Sequence, residues 1–312
     1  MSDVSGLFPH IDVSKLFERY PIGAIPNPGH RYPRLSKFYR NTVLPLDMRL
    51  DYLIWLRQVQ ADLSWYREFR NYWERILNGR PLWGVADYYF FREQFRLGFQ
   101  SQAIPDTEDA AEHLASWQNP SLFYFLFHGV HKETVEEGLR NQAQLLKFMT
   151  ALNREPRHIL DYGCGVASLA KLYYELFKPK SQAEFYVADL QNLAFHYGAY
   201  RAQRNKRIKP LALLPEHDFQ LVTQQTFDVI FCITVFEHMN RPLETMKRFY
   251  ELLKPGGLLI FDYIKSDGHG MDTDSAVRER DAVLDFALEH FELVQGRIDK
   301  AQHLAATVVR KA

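Results

Sequence analysis

Apolar residues change their spacing about halfway along the chain. From Leu46 onward, Trp55, Val59, Leu63, Tyr66, Phe69, Trp73 and Ile76 recur at steps of three or four, which gathers them on one face of a helix. Asn78-Gly79-Arg80-Pro81 ends that pattern, because Gly79 suits a left-handed cap and Pro81 cannot continue a helix. Similar patterning predicts helices over 84–99, over 107–117 after Asp106-Thr107, and over 131–152. Residues 1–46 are broken by Pro21, Pro26, Pro28, Gly29, Pro33 and Pro45 and read as an irregular arm.

After Pro156, short apolar runs alternate with amphipathic stretches. The expected strands are His158–Tyr162, Ala183–Ala188, Pro210–Leu214, Phe227–Ile233 and Leu258–Ile264. The expected helices are Ala167–Phe177, Asn192–Arg204, Arg241–Leu253 and Thr273–His290. Alternation of this kind implies a parallel sheet with helices on both faces. The last two strands, 291–298 and 302–310, are too close in sequence for a crossover, so the final one must run antiparallel. The pattern therefore divides the chain into a mainly helical region, 1–130, and an α/β domain, 131–312.

Composition changes this picture in one respect. Thirty-eight basic residues balance 38 acidic ones, and the balance holds in each half, which weighs against a phosphate-gripping nucleic-acid binder. The cationic run His30, Arg31, Arg34, Lys37 and Arg40 reads as a solvated face. Two cysteines, Cys164 and Cys232, exclude a disulfide framework and fit a reducing compartment. Neither a leader-like start nor a membrane-length apolar run is present, so a cytoplasmic location without membrane attachment is expected. The averages conceal an asymmetry: Trp55, Trp65, Trp73, Trp83 and Trp117 all fall in the first 120 residues.

The chemistry concentrates in the α/β half. In His158-Ile-Leu-Asp-Tyr-Gly-Cys-Gly-Val-Ala-Ser168 a strand delivers Asp161, Gly163 and Gly165 form a tight turn that lets a ligand approach backbone, and a helix follows. Ser168 stands where a nicotinamide fingerprint wants a third glycine. Further on, a second strand ends in Val187-Ala-Asp189, and an acid there can accept two hydrogen bonds from a ribose diol. Phe227-Asp-Val-Ile-Phe-Cys-Ile-Thr-Val-Phe-Glu-His238 and Leu252-Leu-Lys-Pro-Gly-Gly-Leu-Leu-Ile260 complete four blocks in order. From about Arg157 onward these blocks resemble the class I S-adenosylmethionine-dependent methyltransferases.

That resemblance implies a Rossmann-like seven-stranded sheet and S-adenosylmethionine as cofactor, with S-adenosylhomocysteine as product. It assigns Gly163 and Gly165 to the methionine and ribose side, Asp161 to the cofactor amino group, and Asp189 to the ribose hydroxyls, with Leu190 against the adenine. Glu216, His217 or Asp218 would contact the adenine amine, Asp218 being preferred. Ala167 replaces a third glycine of the longer family pattern, a change expected to cost nothing. Tyr162 is expected to fill the core.

Methyl transfer needs alignment and, for an oxygen or nitrogen nucleophile, a base. Glu237 and His238 follow the fourth strand and are the catalytic candidates, with no metal expected. Asp262, Tyr263, His269 and Asp272 are candidates for a substrate wall, whereas His128 and His131 read as structural. Trp55, Phe69 and Trp73 read as core. The dense aromatic runs at 88–91 and 123–125 leave a substrate cavity or a homodimer partner as the surface they meet. The expected activity is methylation of a small or medium-sized, partly hydrophobic acceptor on oxygen or nitrogen. The alternatives are a non-catalytic cofactor-binding partner subunit and a protein or RNA methyltransferase.

Overall fold

The computed structural model describes residues 64–77, 109–118, 123–265 and 272–312, with single positions at 82, 88, 91, 92, 95 and 96. The arm at 1–46, the cationic run, Trp55, Trp83 and His269 lie outside the described residues. The chain divides into two compact units, one of residues 1–102 and 119–140, the other of residues 103–118 and 141–312. The helical segment 110–117 is thus grouped with the α/β half.

In the first unit, helix α1 (Ser64–Asn71) runs into a π-helical turn, Tyr72–Ile76. Phe69 and Trp73 are fully buried, as their spacing predicts, and so is Tyr72. Phe69 meets Tyr88 and Phe127 edge-on at 5.1 and 4.9 Å, and Trp73 meets Phe127 at 5.4 Å. Tyr88 and Phe91 belong to this buried cluster. The Tyr88 hydroxyl donates to the Phe127 carbonyl. These rings therefore form a second core rather than a binding surface.

Helix α2 (Ala110–Trp117) is capped by Asp109, whose carboxylate accepts from the N–H groups of Ala111 and Glu112, so the helix starts later than the Asp106-Thr107 signal indicated. Where one helix was expected over 131–152, two occur: α3 (Phe123–Lys132) and α4 (Glu136–Phe148). Thr134 ends α3 by donating both its hydroxyl and its N–H to the His131 carbonyl. Its hydroxyl thus adds a second donor to a carbonyl at the helix end.

The second unit is built on β1 (His158–Tyr162), β2 (Glu184–Leu190), β3 (Ile208–Leu213), β4 (Phe227–Cys232), β5 (Leu253–Tyr263), β6 (Phe291–Gln295) and β7 (Leu304–Lys311). The order is β3-β2-β1-β4-β5-β7-β6. β1 to β5 are parallel, and β7 is antiparallel to both β5 and β6. The helices are α5 (Ser168–Leu172, continued by a π-helical turn), α6 (Leu193–Ala202), α7 (Pro242–Leu252) and α8 (Asp274–His290). β5 begins five residues ahead of expectation because Leu253 already pairs with Phe227. Gly256, at φ +72°, absorbs the resulting irregularity.

Asp228 ties the opposite, N-terminal ends of the central strands together. Its carboxylate accepts from Arg157 N, His158 N and Lys254 Nζ at 2.9 Å each, and from Arg154 Nη2 at 2.9 Å. Burial alone would raise its pKa, but the Lys254 ammonium and the two backbone donors bring it below the usual carboxylate range. Asp228→Ala strands these donors and is expected to cost about 3–5 kcal/mol, seen as a fall in thermal midpoint of about 10 °C. Because the folded pKa is depressed, this contribution is present above about pH 4 and lost as pH falls below it.

Candidate active site at the C-terminal edge of the sheet

The chain reverses its direction of sheet growth between β1 and β4, and the crevice at such a switch point is where open α/β sheets bind ligands. Gly163 and Gly165 adopt φ +74° and +51° immediately after β1. A Cβ on Gly163 would lie 2.2 Å from Val235 Cγ2, whereas a Cβ on Gly165 would meet nothing within 4 Å. The first glycine is required by packing, and the second leaves open space beside the backbone. Gly198, in α6, extends this close packing, since a Cβ there would come within 2.9 Å of the Gly165 carbonyl oxygen. Its role had no signature in the sequence. Ala167 has φ +56°, in the left-handed region, so replacing glycine here is not free of cost as expected but strains the backbone by about 1–2 kcal/mol.

Two carboxylates flank this turn. Asp189 Oδ2 accepts from Gly165 N and Oδ1 from Leu190 N, both at 2.7 Å, with Asn192 Nδ2 at 3.5 Å. These bonds hold the glycine turn against β2 and leave lone pairs for further donors. Burial nevertheless pushes the Asp189 carboxyl up to about 6. Asp161 is 7% exposed, and among the described residues no donor reaches its carboxylate. Burial, with the Asp189 charge added, pushes it up to about 7. Leu190 follows at the end of β2, half-buried against the core.

Asp218 is turned toward Arg241, with which it pairs at 3.2 Å, and Glu216 and His217 are exposed. Tyr162 fills the core as expected, its hydroxyl donating to the Phe219 carbonyl at 2.8 Å.

Beyond β4 the edge continues with Thr234, at φ +59°, whose N–H donates to Asp262 Oδ1 at 2.5 Å. His238 Nδ1 lies 3.2 Å from Asp272 Oδ1, and its Nε2 lies 3.9 Å from Glu237 Oε1. Glu237 is 1% exposed, among the described residues neither carboxylate oxygen has a hydrogen-bond partner, and burial pushes its carboxyl up to about 7. Thr273 N donates to the Glu237 carbonyl and Thr273 Oγ1 to that of Met239, so the start of α8 is fastened to this segment. The sequence reading treated Asp272 and His238 as separate candidates; the fold pairs them.

Helix α2 crosses the same edge. The Trp117 ring stands edge-on to His238 at 5.8 Å, His113 lies 5.5 Å from the Phe219 ring, and Gln118 Nε2 donates to the Gln191 carbonyl at 2.8 Å. Trp117 was noted only as part of a compositional bias, because nothing in its local spacing indicates a partner more than a hundred residues away. Among the described residues, no group of three or more His, Cys, Asp or Glu is disposed to hold a metal ion.

The strand order and this edge together define a class I methyltransferase fold. Residues 133–303 match the methyltransferase domain family, so the chain belongs to that family. The matched segment is thus a methyltransferase domain of the S-adenosylmethionine-dependent kind. The residues present suit such a cofactor: a Cβ on Gly165 would meet nothing within 4 Å, and among the described residues no cation pairs with the buried Asp161 and Asp189 carboxylates, which match a cationic ligand.

Among curated proteins, the chain is similar to a malonyl-[acyl-carrier protein] O-methyltransferase of Halalkalibacterium halodurans. The two are 31% identical over 118 residues, covering 36% of this chain and 41% of that protein. It is also similar to a tRNA U34 carboxymethyltransferase of Shewanella woodyi, 24% identical over 243 residues, covering 75% of this chain and 69% of that protein. The chain thus spans less than half the length of the first relative. Among solved structures, the N-methyltransferase NodS from Bradyrhizobium japonicum with S-adenosylhomocysteine aligns at 17% identity and a TM-score of 0.42, over 55% of this chain and 86% of that one.

Proposed function

We propose that the protein methylates an oxygen or nitrogen atom of a small or medium-sized, partly hydrophobic acceptor, with His238 as the base. The observation carrying this reading is the His238–Asp272 pair at 3.2 Å, on the sheet edge that also bears the glycine turn. A carboxylate accepting from Nδ1 fixes the imidazole in the tautomer whose basic lone pair is on Nε2. Nε2 faces Glu237, whose carboxyl near neutrality stabilises the imidazolium that forms.

Bound at this edge, S-adenosylmethionine supplies an electrophilic methyl group. Asp189 would accept from its ribose hydroxyls, with Leu190 beside the adenine, and Asp161 would take its amino group. Gly163 and Gly165 would let it approach the backbone, and Trp117 would wall the site beside His238. His238 Nε2 would take the acceptor's proton as the acceptor gains the methyl group and the sulfonium leaves as a neutral thioether.

His238→Ala is expected to lower kcat by about a hundredfold or more while leaving S-adenosylhomocysteine affinity unchanged. Unchanged turnover would remove His238 as the base. A tRNA acceptor is the second reading, favoured by the relative that matches three quarters of this chain. Radiolabelled methyl transfer to bulk tRNA, measured against transfer to a low-molecular-weight extract, separates the two. The balanced charge of the chain supports the small-molecule reading.

A further inference from the structure

A cavity of about 250 Å³ opens beside this edge, between the end of β5, the first turns of α8 and the turn joining β6 to β7. Because β6 runs in the same direction as β5, that turn emerges at the C-terminal edge, the same end as His238. Glu237 lines the cavity, so it adjoins the proposed base.

Its polar groups are unusual. Arg280 is 5% exposed; its Nη1 and Nη2 donate to the carbonyls of Lys300 and Gln302, Nη1 lies 4.0 Å from Asp281 Oδ1, and among the described residues its buried Nε–H has no acceptor. A guanidinium with a buried, unpartnered N–H recovers only part of its desolvation cost, which favours an acceptor brought against it. Lys265 lines the same space, its ammonium reaching, among the described residues, the Ala301 carbonyl at 3.4 Å, whereas Lys300 is already paired with Asp285. Glu237 opposes an anion less than its type suggests, since its carboxyl is largely protonated below about pH 7. Ile264 and Val277, exposed at 39% and 43%, add apolar surface to a lining that also includes Arg278 and Asp281.

We infer that the methyl acceptor carries an anionic group, a carboxylate or a phosphate, which seats against Arg280 and Lys265 while its apolar portion covers Ile264 and Val277. This rests on the small-acceptor reading above and adds the chemical class. The cavity is smaller than the roughly 300–1,000 Å³ typical of whole-ligand pockets, so it takes one end of the acceptor and leaves the nucleophile toward Glu237 and His238.

The test is calorimetric titration of the full chain, saturated with S-adenosylhomocysteine, with benzoate, phenyl phosphate and neutral benzamide. One or both anions should bind at least about tenfold more tightly than benzamide, and the preferred anion identifies the group. Lys265→Met should weaken that binding about threefold, and Arg280→Gln about tenfold or more. Arg280 also holds the β6–β7 turn, so the exposed Lys265 variant keeps the test decisive if Arg280→Gln does not fold. Equal affinity for benzamide, no binding of either anion, or an undiminished anion affinity in Lys265→Met would overturn the inference. If S-adenosylhomocysteine binds and the anions do not, only the acceptor class is wrong. If S-adenosylhomocysteine itself does not bind, the methyl-transfer reading fails with it.

Discussion

Asp161→Asn is expected to make the ligand-free protein more stable and its donor binding much weaker. Asp161 is buried with, among the described residues, no donor on its carboxylate and with Asp189 nearby, and its carboxyl is pushed up to about 7. Between about pH 4 and pH 7 the folded protein therefore holds a proton that the unfolded chain has released, so folding stability declines as pH rises through that window and stays reduced above it. Removing the charge recovers up to about 4 kcal/mol at pH 8, less about 1–3 kcal/mol for a buried amide that lacks partners. A net gain of ~2 kcal/mol corresponds to a rise in thermal midpoint of about 4–8 °C, and it should vanish at pH 5, where the wild-type carboxyl is already protonated. S-adenosylhomocysteine, whose amino group carries a positive charge, should bind the variant about tenfold to a hundredfold more weakly. Thermal melts at pH 5 and 8 with and without S-adenosylhomocysteine check both halves. A variant no more stable at pH 8 would show that Asp161 is not held at a cost for a ligand.

The two glycines of the turn should fail in opposite ways. Gly163→Ala drives a methyl group to 2.2 Å from Val235 Cγ2 at φ +74°. Strain and overpacking together are expected to cost about 2–5 kcal/mol, lowering the thermal midpoint by about 10 °C. Gly165→Ala adds its methyl where nothing lies within 4 Å at φ +51°. It should fold with a loss of about 1–2 kcal/mol from the backbone conformation alone, yet lose donor affinity about tenfold or more because the added methyl occupies the open side of the turn. Melting curves and S-adenosylhomocysteine titrations of both variants, read together, separate packing from ligand approach. If Gly165→Ala binds as wild type does, the open space is not the cofactor side.

The sheet was legible because each strand is a compact apolar run bounded by polar or turn residues, and the antiparallel end followed from loop length alone. The glycine turn and its acids were legible for a related reason: Asp161, Gly163, Gly165 and Asp189 sit at strand ends, where short-range pattern and position in the sheet coincide. What escaped the sequence depends on distant neighbours. Ala167 looks harmless by size, and only its left-handed backbone reveals a cost. The break between α3 and α4 turns on a single threonine hydroxyl. The pairing of His238 with Asp272, the Trp117 ring beside it, and the unpartnered Arg280 Nε–H join segments separated by tens of residues, and no periodicity records such meetings. Tyr88 is buried against rings of α1 and α3, a meeting that the dense run at 88–91 does not itself record.

The central claim is that Asp161, Asp189 and the glycine turn hold the methyl donor at this edge. Calorimetric titration of S-adenosylhomocysteine into wild-type protein and into Asp189→Ala tests it most directly. The wild type should bind one equivalent, and the variant, having lost two charge-assisted bonds of about 1.5–3 kcal/mol each, should bind at least a hundredfold more weakly. No binding by the wild type, or equal binding by the two, would contradict the account.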